Sequence, residues 1–352
     1  MRIALIRRTS ITHLDGVNRF IAWLAEGLHK LGHEPIIMNH CYGEEVPRDE
    51  LGRWFKEMHG LDVELPIETL RDKPCREDSL VKTLLEWYIN GSKLLKKLNI
   101  NAAIVNGIVP LRFKPKIAVA HGPIHQKSGL ERILAKILYQ TYDTVVCVSK
   151  KSEGEYNGIT ACNAIIPLPM KLNLYMPKDV REDIIVHIGI RKNPHISIKA
   201  VELMVNKGLR AELYIIGSKN PQVERLIEGK PYIHALFNAS EREKIDILCR
   251  AKALILPSSG EVFSYSTLEA MACGTPPVVS SAVPEEVIID NVNGLRITSL
   301  NPNEYAEALE RLFRDDELWS RLSRKGLDFV KQFDYVEIAR KYVNLINYHG
   351  SD

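Results

Sequence analysis

The stretch Pro257-Ser-Ser-Gly-Glu-Val-Phe-Ser-Tyr-Ser-Thr-Leu-Glu-Ala-Met-Ala-Cys-Gly274 follows a short apolar run, Ala253 to Leu256, and leads to prolines at 276 and 277. It reads as a strand, a Ser-Ser-Gly turn and an apolar-periodic helix stopped by Gly274. Two carboxylates punctuate it, Glu261 on the loop and Glu269 in the first helical turn. Ligands of open α/β sheets bind outside the carboxyl ends of the strands, where both acids would lie. The helix start between them offers unpaired backbone N–H groups and a partial positive charge, which suit a phosphate. Two plainer readings stay open. Ser266-Thr-Leu-Glu269 also spells a capping box, in which the glutamate reaches back to a backbone donor. Glu261 also fits a solvated loop.

The same β/α alternation extends in both directions. Upstream in this half, Ile184 to Ile188, Ala211 to Ile216 and Tyr232 to Leu236 have strand length and composition, with Val278 to Ser280 downstream. Helical periods at Ile196 to Lys207 and Glu241 to Arg250 separate them. In the first half, strand-like runs at Arg2 to Ile6, Pro35 to Met38, Ala102 to Val105, Ile117 to Ala120 and Thr144 to Ser149 alternate with helical patterns. Val17, Phe20, Ile21, Leu24, Leu28 and Leu31 keep a 3.6-residue period that Gly32 ends. Alternation of this kind predicts an α/β fold of two Rossmann-like, doubly wound parallel sheets facing across a cleft. Prolines 167, 169 and 177 with a run of charges mark the connection, so the expected domains are 1–172 and 173–332, with a final helix, 333–352, returning to the first.

Composition narrows the function classes. The chain has 352 residues, more than one core usually serves, and 47 basic against 44 acidic residues give a net charge of +3. That balance argues against a nucleic-acid partner. No apolar stretch nears the ~18 residues of a membrane span, and the start lacks a signal-peptide core, so a cytoplasmic protein is expected, with the inner face of the membrane as a further location. Cysteines 41, 75, 147, 162, 249 and 273 show no metal-like spacing and are expected to be reduced packing residues. No metal site is expected. Amphipathic segments at Gly129 to Gln140 and Ser92 to Leu98 carry lysines or arginines beside an apolar face. A core-facing role explains them best, and weak peripheral contact with a membrane is the alternative.

The run Pro257 to Gly274, continued by Thr275-Pro-Pro-Val-Val-Ser-Ser281 and Asn291-Val-Asn-Gly-Leu295, resembles the donor-site signature of the retaining GT-B glycosyltransferases of family 4, the group 1 glycosyl transferases. The resemblance implies transfer of a hexose from a nucleoside-diphosphate sugar to a hydroxyl of a glycan, a lipid-linked or a small acceptor. In this reading Glu261 accepts from the sugar hydroxyls, Glu269 accepts from the ribose diol, and the N–H groups of Tyr265 and Ser266 meet the distal phosphate. The loop Gly189-Ile-Arg-Lys-Asn-Pro194 supplies Lys192 and Arg191 for the diphosphate, although their adjacency departs from the family spacing. Gly16, after Asp15 where the family has a second glycine, would let the backbone approach the diphosphate or acceptor. His121 would meet the transferred sugar, with His13 and His125 as secondary candidates, and Gly217 would admit the base. The chain has no Asp-x-Asp, so a metal-independent reaction without cofactor is implied, with retention at the anomeric carbon. A nucleotide-sugar epimerase and a non-catalytic sugar-nucleotide-binding relative are the alternatives.

Overall fold

The computed structural model describes residues 1–12, 15–43, 45–71, 75, 79–122 and 129–349. His13 and His125 lie outside the described residues. The chain divides into two units, one of Met1–Lys171 with Phe333–Asp352 and one of Leu172–Gln332. Among the described residues no helix is long and apolar enough to cross a membrane.

In the first unit the strands are β1 (Arg2–Arg7), β2 (Glu34–Asn39), β3 (Ile67–Thr69), β4 (Ala102–Asn106), β5 (Lys116–Ala120), β6 (Thr144–Cys147) and β7 (Ala164–Ile165). They pair in the order β3-β2-β1-β4-β5-β6-β7, all parallel. Strands covered on both faces read as continuous apolar runs, as Ile3 to Ile6 and Ala102 to Val105 do, each residue 1% exposed or less. The helices are α1 (Gly16–Lys30), α2 (Leu51–His59), α3 (Leu80–Glu86), α4 (Ser92–Lys97), α5 (Gly129–Tyr139) and α6 (Lys150–Tyr156).

The helix Tyr335–His349 packs on α1. A Cβ added at Gly27 would lie 2.5 Å from Tyr335 O and 2.9 Å from the Ala339 Cβ, so only glycine permits this approach. Where the chain passes out of the first unit and back, Met170 N donates to Phe333 O at 2.7 Å and Tyr335 N to Met170 O at 3.0 Å. The next residue, Lys171, is fully buried and pairs with Glu26 at 2.6 Å and Asp62 at 2.8 Å.

The second unit holds β8 (Glu182–Ile188), β9 (Glu212–Gly217), β10 (Ile233–Phe237), β11 (Ala251–Leu256), β12 (Pro277–Ser280) and β13 (Leu295–Ile297), parallel in the order β10-β9-β8-β11-β12-β13. Its helices are α7 (Pro194–Asn206), α8 (Pro221–Ile227), α9 (Glu241–Arg250), α10 (Tyr265–Ala272), α11 (Pro302–Arg314) and α12 (Asp316–Val330). Val201, Leu213, Ile255 and Leu309 centre its core. Strand order reverses between β8 and β11, the switch point at which such sheets bind ligands.

Three expectations are corrected. The α5 face proposed for the core is largely outside it: Ala135 and Tyr139 are buried, while Leu130, Ile133 and Ile137 are 65%, 61% and 57% exposed. The expected reduced cysteines are instead paired as Cys41–Cys75, Cys147–Cys162 and Cys249–Cys273, because the fold brings residues 15 to 34 apart in sequence to Cα separations of 4.6–5.8 Å. The helix after Pro257 is N-capped by Ser264, whose side chain makes no capping bond, so the capping box from Ser266 to Glu269 does not form. Strands β3, β7 and β13 are too short to show a period in sequence.

Candidate functional site

Two loops at the switch point of the second unit hold the predicted charges. After β8 the chain turns at Gly189, with φ of +108°, where Lys192 N donates to Gly189 O at 3.0 Å. Asn193, also left-handed at φ 54°, then opens α7. After β11 the loop from Pro257 is shaped by Ser258, whose hydroxyl donates to Gly260 O at 3.1 Å. Lys192 Nζ reaches across and lies 2.7 Å from Glu261 Oε1, with side chains 30% and 10% exposed. That oxygen is buried and, among the described residues, receives no hydrogen bond of proper geometry, so the contact is charge against charge with acceptor capacity left over. The structure thus brings together a lysine and a glutamate that lie 69 residues apart in sequence. It separates the basic neighbours: Arg191 is exposed and makes no ion pair among the described residues.

Glu269 is 1% exposed on α10. Its Oε1 accepts from Lys244 Nζ at 3.0 Å and from the Tyr175 hydroxyl at 3.3 Å, and Lys244 also pairs with Glu241 at 2.8 Å. Neither Lys244 nor Tyr175 was singled out from sequence. A signal existed for Lys244, a charge at a position that shares the buried face of α9 with Ile247 and Leu248. Tyr265 and Ser266 form the first turn of α10. Gly217 ends β9, and a Cβ there would meet Ile190 Cγ1 at 2.6 Å, so this glycine makes room for the lysine-bearing loop.

Behind that loop His187 is fully buried. Its Nε2 donates to Gly189 O at 2.9 Å and its Nδ1 accepts from the Ser197 hydroxyl at 2.8 Å. Burial pushes its pKa down to about 4, Lys192 adding to the effect, so the ring is neutral at pH 7.

In the first unit His121 follows β5. Asn106 Nδ2 donates to Ile6 O at 3.2 Å, which turns its Oδ1 to His121 Nε2 at 2.7 Å. Nε2 therefore carries the proton and Nδ1 is left as an acceptor. The ring packs edge-on against Phe20, with centroids 4.5 Å apart. Burial, then the nearby Arg7 charge, push its pKa down to about 3 against the opposing pull of Asp15. Asp15 caps α1 by accepting from Asn18 N at 2.9 Å, and Arg7 grips it at 2.7 and 2.8 Å. Burial works to raise the Asp15 pKa, but the bonds and charge of Arg7 with the Asn18 and Val17 amides outweigh it, and the net shift is downward. Gly16 is the first residue of that helix. Among the described residues no group of three or more His, Cys, Asp or Glu is arranged to hold a metal ion.

Residues 182–315 match the family described as glycosyl transferases group 1. A GDP-mannose-dependent alpha-(1-6)-phosphatidylinositol dimannoside mannosyltransferase of Mycobacterium tuberculosis is 31% identical over 43% of this chain and 44% of its own length. This chain therefore spans less than half of that relative. The MMP alpha-(1->4)-mannosyltransferase of Mycolicibacterium hassiacum is 23% identical over 97% of both chains. Among solved structures, a sucrose-phosphate synthase from Thermosynechococcus elongatus superposes with a TM-score of 0.78 at 17% identity, covering 99% of this chain and 98% of its own. The shared fold is the two-sheet α/β architecture of GT-B proteins.

Proposed function

We propose, from the match of residues 182–315 to the group 1 glycosyl transferases and from the GT-B fold, that this chain transfers a hexose from a nucleoside-diphosphate sugar to a hydroxyl of a glycan or lipid-linked acceptor. The observation that carries this reading is the contact of Lys192 Nζ with Glu261 Oε1 at 2.7 Å. It supports the reading because a cation able to meet a diphosphate stands beside an acid able to meet sugar hydroxyls, near the switch point between β8 and β11.

In the reaction the bond from C1 to the diphosphate oxygen breaks and leaves its electron pair on that oxygen. Lys192, with Arg191 and the amides of Tyr265 and Ser266, stabilises the charge that grows there. Glu261 holds the hexose by its hydroxyls and Glu269 accepts from the ribose diol, so that C1 is oriented toward the acceptor. The acceptor oxygen bonds C1 on the face the diphosphate leaves, and its proton passes to the departing phosphate oxygen. Retention follows, without a metal or further cofactor. Taken by itself, the first unit supports roles for His121, whose Nδ1 is left as an acceptor for a sugar hydroxyl, and for Gly16, whose backbone opens α1. Gly217 serves indirectly, through the seat it gives Ile190.

The exposed Leu130, Ile133 and Ile137 beside Arg132 and Lys136 on α5 support weak contact with an anionic membrane face on the cytoplasmic side, which suits a lipid-linked acceptor. The mannosyltransferase relatives make GDP-mannose the first donor to test, beside UDP-glucose. Product analysis by NMR with and without acceptor tests the proposal. An α-linked product formed only with acceptor supports it. Donor conversion without acceptor would replace transfer by epimerisation, and an inverted linkage would remove the retaining mechanism.

A further inference from the structure

Lys192 and Glu261 stand on loops leaving two different strands, and a lysine stem has many rotamers to lose before its ammonium stays at one place. Something must hold the loops in register. Asn193 occupies the N-cap of α7, where an asparagine ordinarily accepts from the amides of its own helix. Here it makes no such bond. Its backbone is left-handed, at φ 54° and ψ 54°, and its Nδ2 donates to Pro257 O at 2.8 Å, the first residue after β11. Asparagine is among the few residues other than glycine that enter this conformation readily. His187 braces the same loop from the sheet side through Gly189 O and Ser197. Gly189 O also receives Lys192 N, so one carbonyl links the buried imidazole to the lysine backbone.

We propose that Asn193, braced by His187, is a positioning residue that ties the lysine loop to the glutamate loop and thereby sets the Lys192–Glu261 contact. The kinetic part of this rests on the donor-site reading above; the geometric part does not. Among the described residues Asn193 makes no hydrogen bond to either charged group of the pair, and its side chain bonds Pro257 O.

Two variants of the full chain test it. Asn193→Gly keeps the left-handed backbone without strain, and Asn193→Asp keeps the shape but has no N–H to donate. Both are expected to melt within about 2 °C of the parent. Their crystal structures are expected to show Lys192 and Glu261 parted beyond ion-pair distance. Calorimetry with GDP and UDP is expected to show the better-bound nucleotide weakened about tenfold, with kcat reduced and the acceptor KM unchanged. A lower melting temperature with the pair and the affinity intact would make Asn193 merely structural and overturn the proposal. So would a parted pair with unaltered affinity. Parent protein that binds neither nucleotide would sink the donor-site reading, while the crystallographic comparison would still judge the tie.

Discussion

Lys192 Nζ and Glu261 Oε1 lie 2.7 Å apart at the carboxyl ends of β8 and β11, joining a cation from one loop to a carboxylate from another. Both side chains retain some exposure, so losing either charge leaves no unpaired ion deep in the core. Lys192→Ala and Glu261→Gln are each expected to lower kcat about a hundredfold, close to 3 kcal/mol of barrier, with the melting temperature unchanged. Steady-state rates with the active donor and a thermal melt check this. Near-parental turnover in either variant would remove the pair from the chemistry.

Lys244 and Glu269 behave differently, because this pair is buried. Lys244→Met takes the cation away from the buried Glu269 carboxylate and is expected to cost about 3 kcal/mol of stability. Adding Glu269→Met is expected to recover most of that loss, since two apolar groups of similar volume replace two ions. Urea titrations of both variants decide it; a double variant no more stable than the single would show that the pair itself is a net stabiliser.

Acid should destabilise the protein through its buried imidazoles. In the unfolded chain both rings take up a proton near pH 6.5, whereas in the folded protein His187 waits until about pH 4 and His121 until about pH 3. The unfolded state binds more protons between those values, so stability is full above pH 6.5 and falls as pH drops. Each histidine contributes up to about 1.4 kcal/mol per pH unit inside its window. Denaturant midpoints at pH 8, 6.5 and 5 should be flat across the first interval and fall across the second, and His187→Gln should lessen the fall. Constant stability down to pH 5 would contradict the neutral rings.

The paired cysteines predict no free thiol in protein purified without reductant, measured by thiol titration under denaturing conditions. Reduction should lower stability, by about 3 kcal/mol for closed loops of this length. Six reactive thiols would restore the reduced state expected from their spacing.

Much of the second unit was visible in its residues. Apolar runs of strand length, glycine stops and 3.6-residue periods are local consequences of backbone geometry, and they marked β8 to β12, α7, α9 and α10 within a few residues. Lys192 and Glu261 stood out because each lies on a loop that follows a strand, and Glu269 because the sequence reads it into the start of the next helix, although α10 begins at Tyr265 and buries it. Partners were less legible. Lys244 lies 25 residues from Glu269, and Asn193 lies 64 from Pro257. The capping-box alternative could not be decided locally, because Ser264 and Ser266 both suit an N-cap, and the fold starts the helix at Ser264.

Element type and order were thus written in the chain, since they follow from near-neighbour preferences and period. Which distant groups share a carbonyl, a charge or a disulfide was left to the folded state, because the order β10-β9-β8-β11 places side by side the ends of strands that more than sixty residues separate. The same holds for the α5 face. Its period announces an apolar stripe of Leu130, Ile133, Leu134, Ile137 and Leu138, but the folded state buries Ala135 and Tyr139 beside that stripe and leaves Leu130, Ile133 and Ile137 exposed.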